Sequence, residues 1–179
     1  GAEMGLKVCT IEKYKLGGEC MNVGCIPSKS LLRMAKTRHQ FEKLAEMELE
    51  SEQIPKVLKP FTKIQGYLDY INEAKTVSMF DKVDLLLAEG SAEFVDNHTV
   101  KVGDKTVTAK RIFICVGTHP MVPPIPGIED VDILTNENMF KLEEIPESMI
   151  IIGGGAIGTE MSQAFSRLGS KCSLIQMAD

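Results

Sequence analysis

Glu147-Ser148-Met149-Ile150-Ile151-Ile152-Gly153-Gly154-Gly155-Ala156-Ile157-Gly158 is an apolar, β-branched run that stops on three glycines, and its reading decides the fold. The run predicts a strand. A helical pattern follows to Leu168, Gly169 supplies the stop, and Lys171 to Ile175 predicts a second strand. Gly153, Gly155 and Gly158 take the G-x-G-x-x-G positions. Glycines there permit a tight turn, the approach of a pyrophosphate to backbone N–H groups, and close packing of helix on strand. Strand, glycine turn, helix and strand in that order make an α/β dinucleotide-binding unit. The acid expected about 20 residues beyond the glycines falls at Gln176, an amide that can still bond a ribose hydroxyl. No arginine follows it to take a 2′-phosphate, so NAD is expected rather than NADP.

The first residues carry the end of a similar unit. Gly1 to Glu12 read as a helix tail, a stop at Gly5 and a strand ending in an acid. A carboxylate at that place holds a ribose hydroxyl, and Glu12 fills it. The strand and glycine turn of that first unit are expected before Gly1, and the rest of the second unit beyond Asp179, so the chain reads as a fragment.

Between the two units, Leu31, Leu32, Ala35, Leu44, Ala45 and Leu49 recur at helical spacing and predict a helix over 28–50. Ser51 to Pro60 break it. Phe61, Ile64, Leu68, Ile71 and Ala74 predict a second helix lasting to about Met79. Short β-type runs follow at 84–88, 91–95, 98–102, 105–109 and 111–116, parted by turn residues, and predict a meander leading into a buried strand that ends at Gly117. Four prolines within 120–127 read as a stiff connection, and a short helix is expected near Asn136 to Lys141.

The chain of 179 residues is 44% hydrophobic, with a net charge of −5. Its longest apolar runs fall far short of the ~20 residues of a membrane span. No basic face and no tryptophan are available for a nucleic-acid groove. Small-molecule partners, no nucleic acid and no membrane are therefore expected. An odd count of five cysteines does not suit a secreted disulfide scaffold. Cys9, Cys115 and Cys172 lie in apolar surroundings and are expected to pack as small buried hydrophobes. His39, His98 and His119 read as surface residues.

The remaining two cysteines sit in Gly17-Gly18-Glu19-Cys20-Met21-Asn22-Val23-Gly24-Cys25-Ile26-Pro27-Ser28-Lys29. On a regular helix, residues five apart point about 140° away from each other. A disulfide needs Cα atoms within about 7 Å, so Cys20 can bond Cys25 only where the backbone leaves helical geometry. Gly24 is placed for that break. No second close Cys/His pair completes a zinc site.

This stretch resembles the active-site signature of the flavin-dependent pyridine nucleotide–disulfide oxidoreductases, and the Pro-Ser-Lys ending is similar to their dihydrolipoamide dehydrogenase and mercuric reductase branches, above all the first. The resemblance runs through the whole chain. It implies an FAD-binding Rossmann-like domain with a β-meander over 1–147, and the beginning of a second Rossmann-like NAD-binding domain over 148–179, both incomplete. It implies that Cys25 is the sulfur next to FAD and Cys20 the one that exchanges with substrate, with Lys29 near the flavin and Glu160 its ion-pair partner. Glu12, Gly18, Ala92 and Gly117 would contact FAD, and Gly153, Gly155, Gly158 and Gln176 would contact NAD. The substrate implied is dihydrolipoamide or another small disulfide or dithiol. A homodimer, a place in a 2-oxoacid dehydrogenase complex, and a cytoplasmic location (the mitochondrial matrix in a eukaryote) are implied too. The acid–base His and Glu pair of such enzymes belongs to a C-terminal region outside this chain, so this piece alone is expected to be inactive. Cys115-Val116 stands where Ala-Thr is common. Two other readings are a mercuric-reductase-like or other disulfide reductase, and a non-catalytic nucleotide-binding redox sensor.

Overall fold

The computed structural model describes residues 1–50 and 52–177; Ser51, the first residue of the predicted break over Ser51 to Pro60, and the last two residues lie outside the described part. The chain forms two compact units, Gly1–Asn22 with Asp69–His119, and Val23–Leu68 with Pro120–Asp179.

In the first unit, β1 (Cys9–Glu12) pairs in parallel with β2 (Asp84–Leu87), from Cys9 opposite Asp84 to Glu12 opposite Leu87. Glu12 thus closes the C-terminal end of a parallel pair, where ligands of α/β sheets bind. A short helix α1 (Gly18–Asn22) follows β1. The meander is β3 (Ala92–Asp96), β4 (Thr99–Val102) and β5 (Lys105–Thr108), antiparallel in that order. Val100 and Val102 bury the same face of β4, with Val100 opposite Val107. Asp96 Oδ1 accepts the His98 N–H at 2.7 Å in the first turn. Gly103, at φ +56, makes the second.

The second unit holds α2 (Cys25–Glu42), most of α3 (Pro60–Ile71), β6 (Ser148–Ile152), α4 (Ala156–Leu168) and β7 (Lys171–Ile175). β6 and β7 are parallel in register from Ser148–Lys171 to Ile152–Ile175. The core is the meeting of three apolar stripes: Leu31 and Ala35 of α2, Phe61, Ile64 and Leu68 of α3, and Met161, Ala164, Phe165 and Leu168 of α4. Met139 and Phe140 join them. The fully buried alanines Ala35 and Ala164 let helices approach closely, and the Phe61 and Phe165 rings pack at a tilt of 34° with centroids 6.1 Å apart. Gly169, at φ +108, ends α4 with the Ser170 N–H bonded back to the Phe165 carbonyl, the six-to-one bond of a glycine-terminated helix.

A polar clasp also ties α2 to α4. Arg38 Nη1 donates to the Arg167 carbonyl at 2.6 Å and to Glu42 Oε1 at 2.5 Å, while His39 Nδ1 bonds Glu42 Oε2 at 2.9 Å. The His39 bond, helped by the Arg38 charge, holds the Glu42 carboxyl below its usual range. A carboxyl lowered on folding gives stability at neutral pH that fades as pH falls through the carboxylate range. Glu42→Gln is therefore expected to cost about 0.5–1 kcal/mol at pH 7, seen as a melting temperature lower by about 2–4 °C. The gap to wild type should close between pH 6 and pH 3. A gap that stays constant over that range would show that Glu42 is not the titrating contact.

Four local expectations differ. The first helix ends at Glu42, followed by a 3-10 turn over Leu44–Met47 and Glu48 at φ +57, instead of running to 50. The second helix changes pitch after Ile71 into a π-helical turn over Asn72–Thr76, then a 3-10 turn over Val77–Phe80. The helix near Asn136 is a single 3-10 turn, Met139–Lys141. The largest difference is at 111–116, which enters no ladder among the described residues, leaving Phe113 83% and Val116 88% exposed. An apolar run specifies burial, but a strand is buried only by neighbours, and none of the described strands lies beside it. Cys115, in that run, is exposed rather than packed. No helix among the described residues is long and apolar enough to cross a membrane.

Candidate functional site

Leu16 is buried, and the chain leaves it through two successive glycines with positive φ, Gly17 at +104° and Gly18 at +62°. They turn the backbone straight into α1, which carries Cys20. The Asn22 side chain reaches back from the end of α1, its Nδ2 donating to the carbonyls of Leu16 at 3.0 Å and Gly18 at 2.9 Å. Val23 and Gly24 then interrupt the helix, and Cys25 is the first residue of α2. This is the departure from helical geometry that the five-residue spacing requires. Cys20 and Cys25 are joined as a disulfide, and both residues are exposed.

The surroundings of Cys25 suit a sulfur that leaves as a thiolate. It stands at the N-terminus of an 18-residue helix whose first turn holds no acid and which has no side-chain cap. The dipole there favours an anion. Lys29, one turn further along α2 and on the same face, bonds through Nζ to Glu160 Oε1 of α4 at 2.5 Å. The two side chains are 62% and 37% exposed. A pair so open to water stabilises the fold by no more than about 1 kcal/mol. The other cysteines have no such setting. Burial, with the nearby charges of Asp84 and Glu89, raises the Cys9 thiol above its ordinary range, and burial does the same to Cys172.

The glycine turn between β6 and α4 is built as the sequence requires. Gly153 adopts φ +102 and donates its N–H to the Ile175 carbonyl at 2.8 Å. A Cβ at Gly158 would collide with the Gly153 carbonyl oxygen, whereas one at Gly155 would meet open space. Gln176 does not point away toward a ribose; its Oε1 accepts the Gly154 N–H at 2.6 Å. An oxygen acceptor thus already lies on a turn amide, which is the bond a phosphate oxygen makes at such a turn. These residues fit a dinucleotide.

On the first unit, Glu12 ends β1 with Oε1 accepting the Tyr14 N–H at 2.8 Å. Gly117, at φ +71, and Gly18 both face open space, and Ala92 begins the exposed strand β3. A carboxylate at the end of a parallel strand with two uncrowded glycines fits one part of a flavin nucleotide. The structure brings together Cys20 with Cys25, Lys29 with Glu160, and Gln176 with the glycine turn. Among the described residues there is no group of three His, Cys, Asp or Glu side chains able to hold a metal. Two polar residues near the redox turn, Asn72 and Thr76, escaped the sequence reading, since polar residues in a helical pattern give no signal of their own.

The family described as pyridine nucleotide-disulphide oxidoreductase matches residues 1–179. A mercuric reductase from Bacillus cereus is 36% identical over 177 residues, covering 98% of this chain and 28% of that protein. A dihydrolipoamide dehydrogenase from Chaetomium thermophilum is 35% identical over 191 residues, covering 98% of this chain and 36% of that protein. Among solved structures, the HOCl-induced flavoprotein disulfide reductase RclA from Escherichia coli superposes with a TM-score of 0.78 at 27% identity, over 97% of this chain and 37% of that one. The chain spans about a third of the length of these relatives. With the redox disulfide and the glycine turn in place, and the family profile matched from end to end, the chain belongs to the pyridine nucleotide–disulphide oxidoreductase family, whose members use FAD and NAD(P)H.

Proposed function

We propose that the whole protein is a flavoprotein disulfide oxidoreductase that uses Cys20 and Cys25 to oxidise dihydrolipoamide, with NAD as the final acceptor. The exposed Cys20–Cys25 disulfide at the uncapped N-terminus of α2 carries this reading. A substrate thiolate attacks Cys20 Sγ, forming a mixed disulfide and releasing Cys25 as a thiolate, which the helix dipole and Lys29 stabilise. The second substrate thiolate then attacks its own sulfur in the mixed disulfide and displaces Cys20. Substrate leaves as a disulfide, and the enzyme holds a dithiol with the two electrons. FAD, when bound, supplies the two-electron acceptor between that dithiol and NAD. Glu160 keeps Lys29 aimed along α2. Glu12, Gly18, Lys29, Ala92 and Gly117 would hold FAD; Gly153, Gly155 and Gly158 would hold NAD, with Gln176 bonded to the turn they form. The domains are 1–147 for FAD and 148–179 for the start of the NAD part. The protein works as a homodimer in the cytoplasm or mitochondrial matrix, serving a 2-oxoacid dehydrogenase complex. Three cysteines outside the disulfide suit a reducing compartment.

A second reading, reduction of Hg(II), is favoured by the several relatives named mercuric reductase. Assay of the purified full-length protein separates the two. A yellow protein that NADH bleaches anaerobically, and that oxidises dihydrolipoamide with NAD far faster than it reduces glutathione disulfide or Hg(II), is the expected result. Faster Hg(II) reduction would move the assignment to the second reading, and a colourless protein unaffected by NADH would defeat both.

A further inference from the structure

The geometry points to Asn72 and Thr76 as positioning residues for the Cys20 sulfur, acting through the turn that carries it. This rests on Cys20 and Cys25 being the redox pair.

The carrier α1 is five residues long, too short to hold itself as a helix in water. The π-helical turn Asn72–Thr76 bonds this stretch at two points, Leu16 just before α1 and Met21 within it. Asn72 Nδ2 donates to the Leu16 carbonyl at 3.0 Å, sharing that oxygen with Asn22. Thr76, itself buried, donates its hydroxyl to Met21 Sδ at 3.2 Å, with the Ile71 carbonyl at 3.4 Å as the alternative acceptor. Met21 is the residue next to Cys20, and Leu16 is where the chain enters the turn. The clamp grips α1 on both sides of the sulfur without touching the sulfur. A regular helix continuing past Ile71 would rotate these residues differently, so the change of pitch serves the clamp.

Its effect is felt in one redox state. With the disulfide closed, the S–S bond itself fixes Cys20. When the pair is reduced, that bond is gone, and the clamp then restrains the turn that carries the Cys20 thiol. The stability of the disulfide depends on the effective concentration of one thiol at the other in the reduced state. A looser α1 lowers that concentration, so losing the clamp makes the disulfide easier to reduce.

The test uses the full-length, FAD-loaded protein equilibrated in glutathione buffers, acid-quenched and alkylated, with the reduced fraction of Cys20 and Cys25 read by mass spectrometry. Thr76→Val, which replaces only the hydroxyl, and Asn72→Ala are each expected to shift the dithiol–disulfide equilibrium toward the dithiol by about threefold to tenfold, where tenfold is about 30 mV. Thr76→Ser, which keeps the hydroxyl, should titrate as wild type. Unshifted equilibria in Thr76→Val and Asn72→Ala would overturn the inference, even if both melt earlier, because lower stability alone marks a structural role. Equal shifts in Thr76→Ser and Thr76→Val would overturn it too. Should Asn72→Ala fail to fold, Thr76→Val decides. A wild-type pair that cannot be reduced would defeat the redox reading itself, and the inference with it, whereas a wild type that titrates beside unmoved variants defeats only the clamp.

Discussion

Cys25→Ser is expected to lower NAD-linked dithiol oxidation by the full-length protein on the order of 10³-fold or more, with Cys20→Ser as severe. A serine hydroxyl neither closes the S–S bond nor leaves as a stable anion, so the electrons have nowhere to rest between substrate and flavin. Because the two sulfurs act as one unit, the double variant should be no worse than either single one. Flavin content and NADH affinity should stay at wild type, since neither depends on the sulfurs. The disulfide also closes a short loop, which stabilises the fold by about 2 kcal/mol in the chain-entropy account. Both variants should melt earlier for that reason, without losing the cofactor. A variant that keeps a tenth of the activity would remove Cys20 and Cys25 from the reaction.

Gly158→Ala carries the second large effect, and it separates packing from ligand approach. The added methyl would run into the Gly153 carbonyl oxygen and press on Ile151 Cγ2. Backbone cannot yield as a flexible side chain does, so the turn must open, at a cost of about 1–3 kcal/mol. Gly155→Ala is the contrast. Its Cβ would meet open space, at φ −68, which any residue adopts. The fold should therefore tolerate it. If the turn binds the nucleotide pyrophosphate, however, a methyl there stands in the path of the phosphate. Equilibrium titration with NADH and thermal melting of full-length variants test this together. Gly158→Ala should lose both stability and affinity, and Gly155→Ala only affinity. Wild-type NADH affinity in Gly155→Ala would remove the turn from the nucleotide site.

Elements whose cause is local were legible in the residues. The apolar, β-branched run of 148–152, the glycines that follow, and the stop at Gly169 return as β6, the turn, α4 and its cap. The five-residue spacing of the cysteines demands a helix break, and the break is at Val23 and Gly24. Elements whose cause lies elsewhere in the chain were less legible. The run at 111–116 has the composition of a buried strand, yet burial comes from neighbours, and it has no ladder partner among the described residues. The helix after Phe61 has an unbroken apolar period, yet hydrogen bonds to a turn more than fifty residues earlier accompany its change of pitch.

By itself, then, the sequence determined the α/β units, the glycine turn and the reactive cysteine pair, because propensity, periodicity and backbone freedom act over a few residues. The resemblance of its motifs added the pairing of Lys29 with Glu160, and the structure holds that bond. Only the tertiary structure decided which other distant groups meet: Gln176 folded onto the Gly154 N–H, and Asn72 and Thr76 against the turn that holds Cys20. Those contacts join residues from 22 to 56 positions apart. Bringing such groups together costs loop-closure entropy that the packing of the whole unit offsets, so no local pattern records them.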